Sequence, residues 1–107
     1  MGAGYNIEFD FYYPVTINDK CISLLVSEAA EAIVGKSNVL IAEQTMGGDD
    51  VAVYLQKIPG CHFFLGASNK EKGLDSPLHS PNFNFDENCL IIGLEVLLRS
   101  LFKYLSL

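Results

Sequence analysis

His79 stands between Pro77 and Pro81 in the run SPLHSPNFNFDE, with two phenylalanines and an acidic pair behind it. The prolines stiffen the backbone on both sides, so little entropy is lost in fixing the ring in one place. Such preorganisation suits a metal ligand, which must arrive within a fraction of an ångström. It also suits a structural hydrogen-bonder. Zinc needs at least three protein ligands, and the other histidine, His62, lies in CHFFLG with no motif around it. The residues alone leave both readings of His79 open.

The second chemical stretch is TMGGDD. Gly47 and Gly48 allow a tight turn, and Asp49 and Asp50 fall in the first turn of a following helix. Carboxylates there complement the helix dipole. A functional alternative is a loop at the C-terminal edge of a sheet, where open α/β sheets gather ligands. Phosphate cradling is disfavoured, because GxxxxGK[ST] is absent and adjacent acids repel phosphate. His62 reads as a structural strand residue, and Cys61 and Cys89 as small buried hydrophobes without a base partner.

The elements that position these residues follow from periodicity. Tyr5, Ile7, Phe9, Phe11, Tyr13 and Val15 alternate with polar residues, which predicts a strand limited by Pro14 to an edge or an ending. Asn18 or Asp19 can cap a helix carrying Ile22, Leu25, Val26, Ala29 and Ile33 at helical spacing, with Gly35 as its stop. Residues 39–42 predict a short strand, and Val51, Tyr54, Leu55 and Ile58 a short helix ended by Pro59-Gly60. CHFFLG predicts a buried strand. A last helix runs from about Asp86 to Tyr104, with Asn84 and Glu87 at capping-box spacing. Glu95, Arg99 and Lys103 recur every four residues and give it one wet stripe, so it is not a membrane span. The order β-α-β-α-β-α predicts an α/β fold with helices covering a sheet.

With 107 residues the chain is one domain at most, yet half of it is apolar, so it either packs very efficiently or buries surface against something else. A net charge of −6 argues against nucleic acid and anionic membrane partners. Three cysteines with no CxxC pair, and no signal-peptide pattern at the N-terminus, favour reduced thiols and a cytoplasmic chain.

Four stretches in order, YYPVTIND, TMGGDDVAVYLQKIPGCHFFLGASN, GLDSPLHSPNFNFDE and IIGLEVLLRSLFKYL, resemble the C-terminal part of the metal-dependent amidohydrolase and peptidase family that includes aminoacylases, hippurate hydrolases, carboxypeptidases and indole-3-acetyl-amino-acid hydrolases. The resemblance implies a zinc-peptidase-like catalytic domain, a three-layer sheet with helices on its faces. Residues 17–107 would be its C-terminal portion, and residues 1–16 the last strand of an inserted lid or dimerisation domain.

In that family the last histidine of a two-metal site precedes SP-x-F-x-x-DE, which His79 matches. Pro77, Ser80 and Pro81 would set its geometry, and Gly47 and Gly48 would shape the adjoining pocket wall. The family's Met-Gly-x-Glu-Asp-Phe is altered here, with Asp49 in the Glu place, Asp50 matching and Val51 in the Phe place; neither acid is assigned a catalytic role.

The resemblance implies a divalent metal (zinc, manganese or cobalt) and a small N-acyl amino acid or peptide substrate. The family's remaining ligands and its catalytic glutamate lie upstream of the matched region. The expectation is therefore a fragment that binds metal weakly and hydrolyses nothing alone. The rival is a small non-catalytic α/β interaction module that self-associates through the strand from Tyr5 to Val15.

Overall fold

The computed structural model of the chain describes residues 2–106. Three helices organise it: α1 (Lys20–Val34), α2 (Val51–Leu55) and α3 (Asn88–Leu105), with short 3-10 turns at Lys36–Asn38 and Lys70–Lys72.

Local chemistry sets the ends of α1. Asp19 is its cap, Oδ1 accepting from Ile22 N at 2.9 Å, and an N-cap carboxylate of this kind is worth about 1 kcal/mol. Gly35 ends it with φ 82°, a conformation costly for any residue with a Cβ, and its N–H donates to Glu31 O. Asn38 Nδ2 donates to Val34 O at 2.7 Å, satisfying another carbonyl left free at the helix end. Lys20–Val34 thus begins and stops where the sequence signals lie.

The start of α3 differs from the sequence expectation. The Asn84–Glu87 capping box does not form: Asn84 Oδ1 accepts from the neighbouring Phe85 N, and Glu87 makes no side-chain cap bond. Asp86 takes the role instead, with Oδ1 accepting from Asn88 N at 3.2 Å. Asp86 is already tethered through its own N–H to Ala67 O at 2.9 Å, so a distant contact moves the helix start to Asn88.

α1 and α3 pack together through small faces. Leu25 and Ala29 are buried on α1, and Cys89, Gly93 and Val96 on α3. Lys103 and Glu28 form an ion pair between the two helices, and Arg99 pairs with Glu95 one turn before it. Gly93 has a specific reason to lack a side chain, since a Cβ there would lie 2.8 Å from Leu65 Cδ2. The segment after Cys61 therefore lays Leu65 directly on the α3 backbone.

Most large apolar residues of α3 are not buried by this packing. Leu90, Leu94, Leu97, Leu101 and Phe102 are exposed, so the helix is wet well beyond the stripe of Glu95, Arg99 and Lys103. The total accessible surface is 9455 Å², against about 5,900 Å² for a compact monomer of this mass. The radius of gyration is 18.2 Å, against about 13 Å for a compact domain of this length. Of the two ways to accommodate so apolar a chain, efficient packing on itself is not the one adopted.

The strands expected at residues 5–15, 39–42 and in CHFFLG form no ladder among the described residues; the single bridge pairs Asn69 with Leu74. Residues 5–15 still show the two-residue alternation of extended chain, for Asn6 donates to Glu8 and Tyr12 to Asp10. Both faces are open to solvent, with Phe11 95% exposed. Alternation specifies an extended backbone, but a sheet also needs a neighbouring strand. The three-layer layout is accordingly not seen here.

Candidate functional site

His79 sits at the third position of a turn closed by Ser80 N donating to Pro77 O at 3.0 Å. Its φ is 67°, and among the described residues it alone combines positive φ with a side chain. A left-handed residue with a Cβ costs roughly 1–2 kcal/mol, so the turn holds His79 against its own preference. A second turn follows at once, with Phe83 N donating to Ser80 O at 3.0 Å and Asn82 N donating to Ser80 Oγ at 3.2 Å. Pro77 and Ser80 close the turn that contains His79, and Pro81 lies in the turn that follows it. Phe83 and Phe85 stack behind them with ring centroids 6.2 Å apart.

The imidazole of His79 is exposed and has no hydrogen-bond partner among the described residues. The structural hydrogen-bonder left open by the sequence thus finds no bond here. His62 behaves differently. Asn18 clamps its backbone, Nδ2 donating to His62 O and Oδ1 accepting from His62 N, each at 2.8 Å, while its ring rests against Phe64 at 5.4 Å. The Asn18 bonds hold the backbone alone, and the strand expected around His62 does not form among the described residues.

The TMGGDD loop is built around backbone needs. Asp49 Oδ1 accepts from Val51 N at 2.9 Å at the start of α2, and the Asp50 side chain makes no cap bond. Gly47 N donates to Thr45 Oγ1 at 3.4 Å. Gly48 lies under an aromatic ring, where an added Cβ would approach Tyr13 Cδ2 to 3.3 Å. Gly48 of this loop thus meets the aromatic N-terminal segment, and no hydrogen bond or ion pair joins the loop to the His79 turn among the described residues.

A cleft of about 580 Å³ opens between the N-terminus of α1 and the Leu55–Pro59 corner, and a smaller one of about 320 Å³ between α1 and α3. Neither is lined by His79, Gly47, Gly48, Asp49 or Asp50. Cys21 is exposed, Cys61 half-buried and Cys89 buried, all as free thiols; of the two expected to be buried, Cys89 is so in full.

Asp86, which sequence reasoning used only as a helix start, carries three side-chain hydrogen bonds in the segment that follows His79. Its Oδ2 accepts from Asn69 Nδ2 at 2.5 Å and from Lys72 Nζ at 3.0 Å. The Asn69 bond first, then the Lys72 bond, hold its carboxyl down at about 2, below the ordinary 3.8. The acidic pair of the motif was the only signal, and it does not name the partners.

A divalent metal requires several converging donors. No group of three His, Cys, Asp or Glu side chains among the described residues could hold one. His79 is a single donor in a fixed turn, and these residues do not by themselves fit a metal centre. No helix among them is long and apolar enough to cross a membrane.

Comparison with known proteins agrees with the motif order. The profile of peptidase family M20/M25/M40 matches residues 3–103. Thermostable carboxypeptidase 2 of Saccharolobus solfataricus is 37% identical over 93 residues, covering 86% of this chain and 23% of that protein. IAA-amino acid hydrolase ILR1-like 6 of Arabidopsis thaliana is 34% identical over 84 residues, covering 78% of this chain and 18% of its own length. A Rhodococcus jostii protein named as a glutamate–cysteine ligase is 36% identical over 99 residues, 89% of this chain but 12% of that protein. No solved structure matches. The chain spans roughly an eighth to a quarter of the length of these relatives. The match runs through both the His79 turn and the helices that carry it, and the chain belongs to peptidase family M20/M25/M40.

Proposed function

We propose that this chain is the C-terminal portion of a metal-dependent hydrolase that cleaves N-acyl amino acid or peptide amide bonds with metal-activated water. In this reading His79 contributes one ligand to a site completed by residues outside the chain. The observation that carries it is the left-handed His79 turn, which spends conformational energy to present an unbonded imidazole. Family membership supports the reaction class, since enzymes of this family use divalent metals, here zinc, manganese or cobalt. Residues 1–16 are assigned to the end of a lid domain, residues 17–107 to the catalytic domain, and the whole to the cytoplasm. Gly47, Gly48, Asp49 and Asp50 serve as pocket wall.

The exposed apolar face of α3 supports the same reading, because a helix so apolar belongs inside a larger body. Alone, the chain binds divalent metal weakly and hydrolyses nothing. The test is Zn²⁺ titration of the wild-type chain and His79→Ala, beside an assay for release of free amino acid from N-acyl amino acids. Zinc binding that is lost with His79, without turnover, is the expected result. Turnover by the homogeneous chain, or binding indifferent to His79, overturns it.

A second reading has its own observation. Tyr5, Phe9, Phe11 and Tyr12 are exposed on an unpaired segment, which suits a non-catalytic module that self-associates through residues 5–15. Dimerisation abolished by Phe9→Pro and insensitive to metal favours that module.

A further inference from the structure

Residues 75–85 form a loop with His79 near its apex, and the two ends of that loop are joined. On the incoming side, Asn69 and Leu74 exchange both backbone hydrogen bonds at 2.8 Å, around a turn completed by left-handed Gly73. Asn69 Oδ1 also accepts from Lys72 N at 3.2 Å, which makes residues 69–74 a closed unit. On the outgoing side stands Asp86, the last residue before the α3 turn begins.

Asp86 meets the incoming side of the loop three times, twice within residues 69–74 and once at Ala67. Its N–H donates to Ala67 O at 2.9 Å, and its Oδ2 accepts from both Asn69 Nδ2 and Lys72 Nζ. Its Oδ1, through Asn88 N, is built into the start of α3. One carboxylate thus ties the loop's entrance to the helix that follows its exit, and its side chain is only 15% exposed.

We propose that Asp86 is the positioning residue for His79: with Asn69 and Lys72 it clasps the neck of loop 75–85 and so keeps the His79 turn at a fixed place on α3. The functional meaning of the clasp rests on the His79 ligand reading; its structural part does not. Closing a loop's neck removes most of the conformational freedom of its ends. Pro77 and Pro81 then restrict what remains near the apex. A free loop would have to be ordered each time His79 met a metal held by other donors, and affinity would fall by the cost of that ordering. The Asp86 clasp removes that cost in advance.

The experiment is ¹⁵N relaxation and the HN–Hα coupling of His79 in the labelled 107-residue chain. For the wild type the expected backbone order parameter at residues 78–82 is about 0.85, the value of rigid backbone. Asp86→Ala should lower it below about 0.6 there and average the His79 coupling, leaving α1 unchanged. Asn69→Ala cuts the same clasp from the other side and should act alike, which covers the case that Asp86→Ala does not fold. The exchange Asp86→Asn with Asn69→Asp restores an amide–carboxylate pair and should restore the order.

Order at residues 78–82 that is unaffected by both alanine variants, or already low in the wild type, overturns the clasp. So does an equal loss of order throughout α1, which would make Asp86 a general scaffold residue. A Zn²⁺ titration of the same samples separates the two ideas. Binding indifferent to His79→Ala removes the ligand reading and with it the functional part of the proposal. Binding that depends on His79 but not on an ordered loop leaves the ligand reading and removes the clasp.

Discussion

Asn18 grips the backbone of His62 in both directions, its Nδ2 donating to the carbonyl and its Oδ1 accepting from the N–H, each at 2.8 Å. The side-chain amide mimics one rung of a sheet, joining the entry of α1 to the CHFFLG segment 44 residues away. Asp19 N, donating to Gly60 O at 2.8 Å, adds a second rung beside it. Two neutral hydrogen bonds of this kind are together worth about 1–2 kcal/mol. Asn18→Ala should therefore lower unfolding stability by about that amount, measured by urea denaturation, whereas Asn18→Gln should fail to recover it, because its longer stem misplaces both ends.

His79 sets stability against function. His79→Gly relieves the left-handed strain and should raise stability by up to about 1 kcal/mol, while abolishing whatever metal binding the chain has. His79→Val, β-branched at a positive φ, should be less stable than the wild type. Thermal melts with and without Zn²⁺ check both directions. A His79→Gly chain less stable than the wild type would show that the imidazole itself supports the fold.

Asp86 confers an acid-side pH dependence. Its carboxyl is depressed to about 2 from 3.8, first by the Asn69 bond and then by Lys72. A depressed folded value means that the carboxylate's contribution is fully present above about pH 4 and is lost as pH falls toward 2. The order of residues 67–74 should follow that window in NMR spectra. Asp86→Asn should flatten the dependence, which identifies the group responsible.

Gly93 tests how the CHFFLG segment docks on α3. Leu65 Cδ2 fills the place where a Cβ would stand, 2.8 Å away. Leu65 is a flexible side chain and alanine favours helix, so Gly93→Ala gains helix propensity while it displaces Leu65, and its net effect should be small. Gly93→Ile forces Leu65 off α3 and should cost about 1–3 kcal/mol, as overpacked sites do. Denaturant titration of the two variants, compared with Leu65→Ala, shows whether the loss runs through that contact.

The elements that short-range chemistry controls were readable from residue types alone. Asp19 caps α1 because its carboxylate lies three residues from the amide it accepts from, and Gly35 stops it because only glycine takes φ 82° without strain. The family was legible for a related reason: the order of SPLHSPNFNFDE after TMGGDD survives in a linear string, and the match over residues 3–103 bears it out.

What needed partners far along the chain was not readable. The sequence offered Asn18 and Asp19 as equal caps, and only the arrival of residues 60–62 assigned Asn18 to the backbone of His62. It offered Asn84 for the start of α3, and the bonds from Ala67, Asn69 and Lys72 gave that start to Asp86. The alternation from Tyr5 to Val15 determined an extended segment but not a sheet, and the periodicity of α3 did not say that Cys89, Gly93 and Val96 would be buried while its leucines stayed exposed. Capping and turn energies act over three or four residues and are written in local spacing. Strand pairing, helix docking and a clasp such as Asp86 depend on groups that become neighbours only when the chain has folded, and tertiary structure alone decides between them.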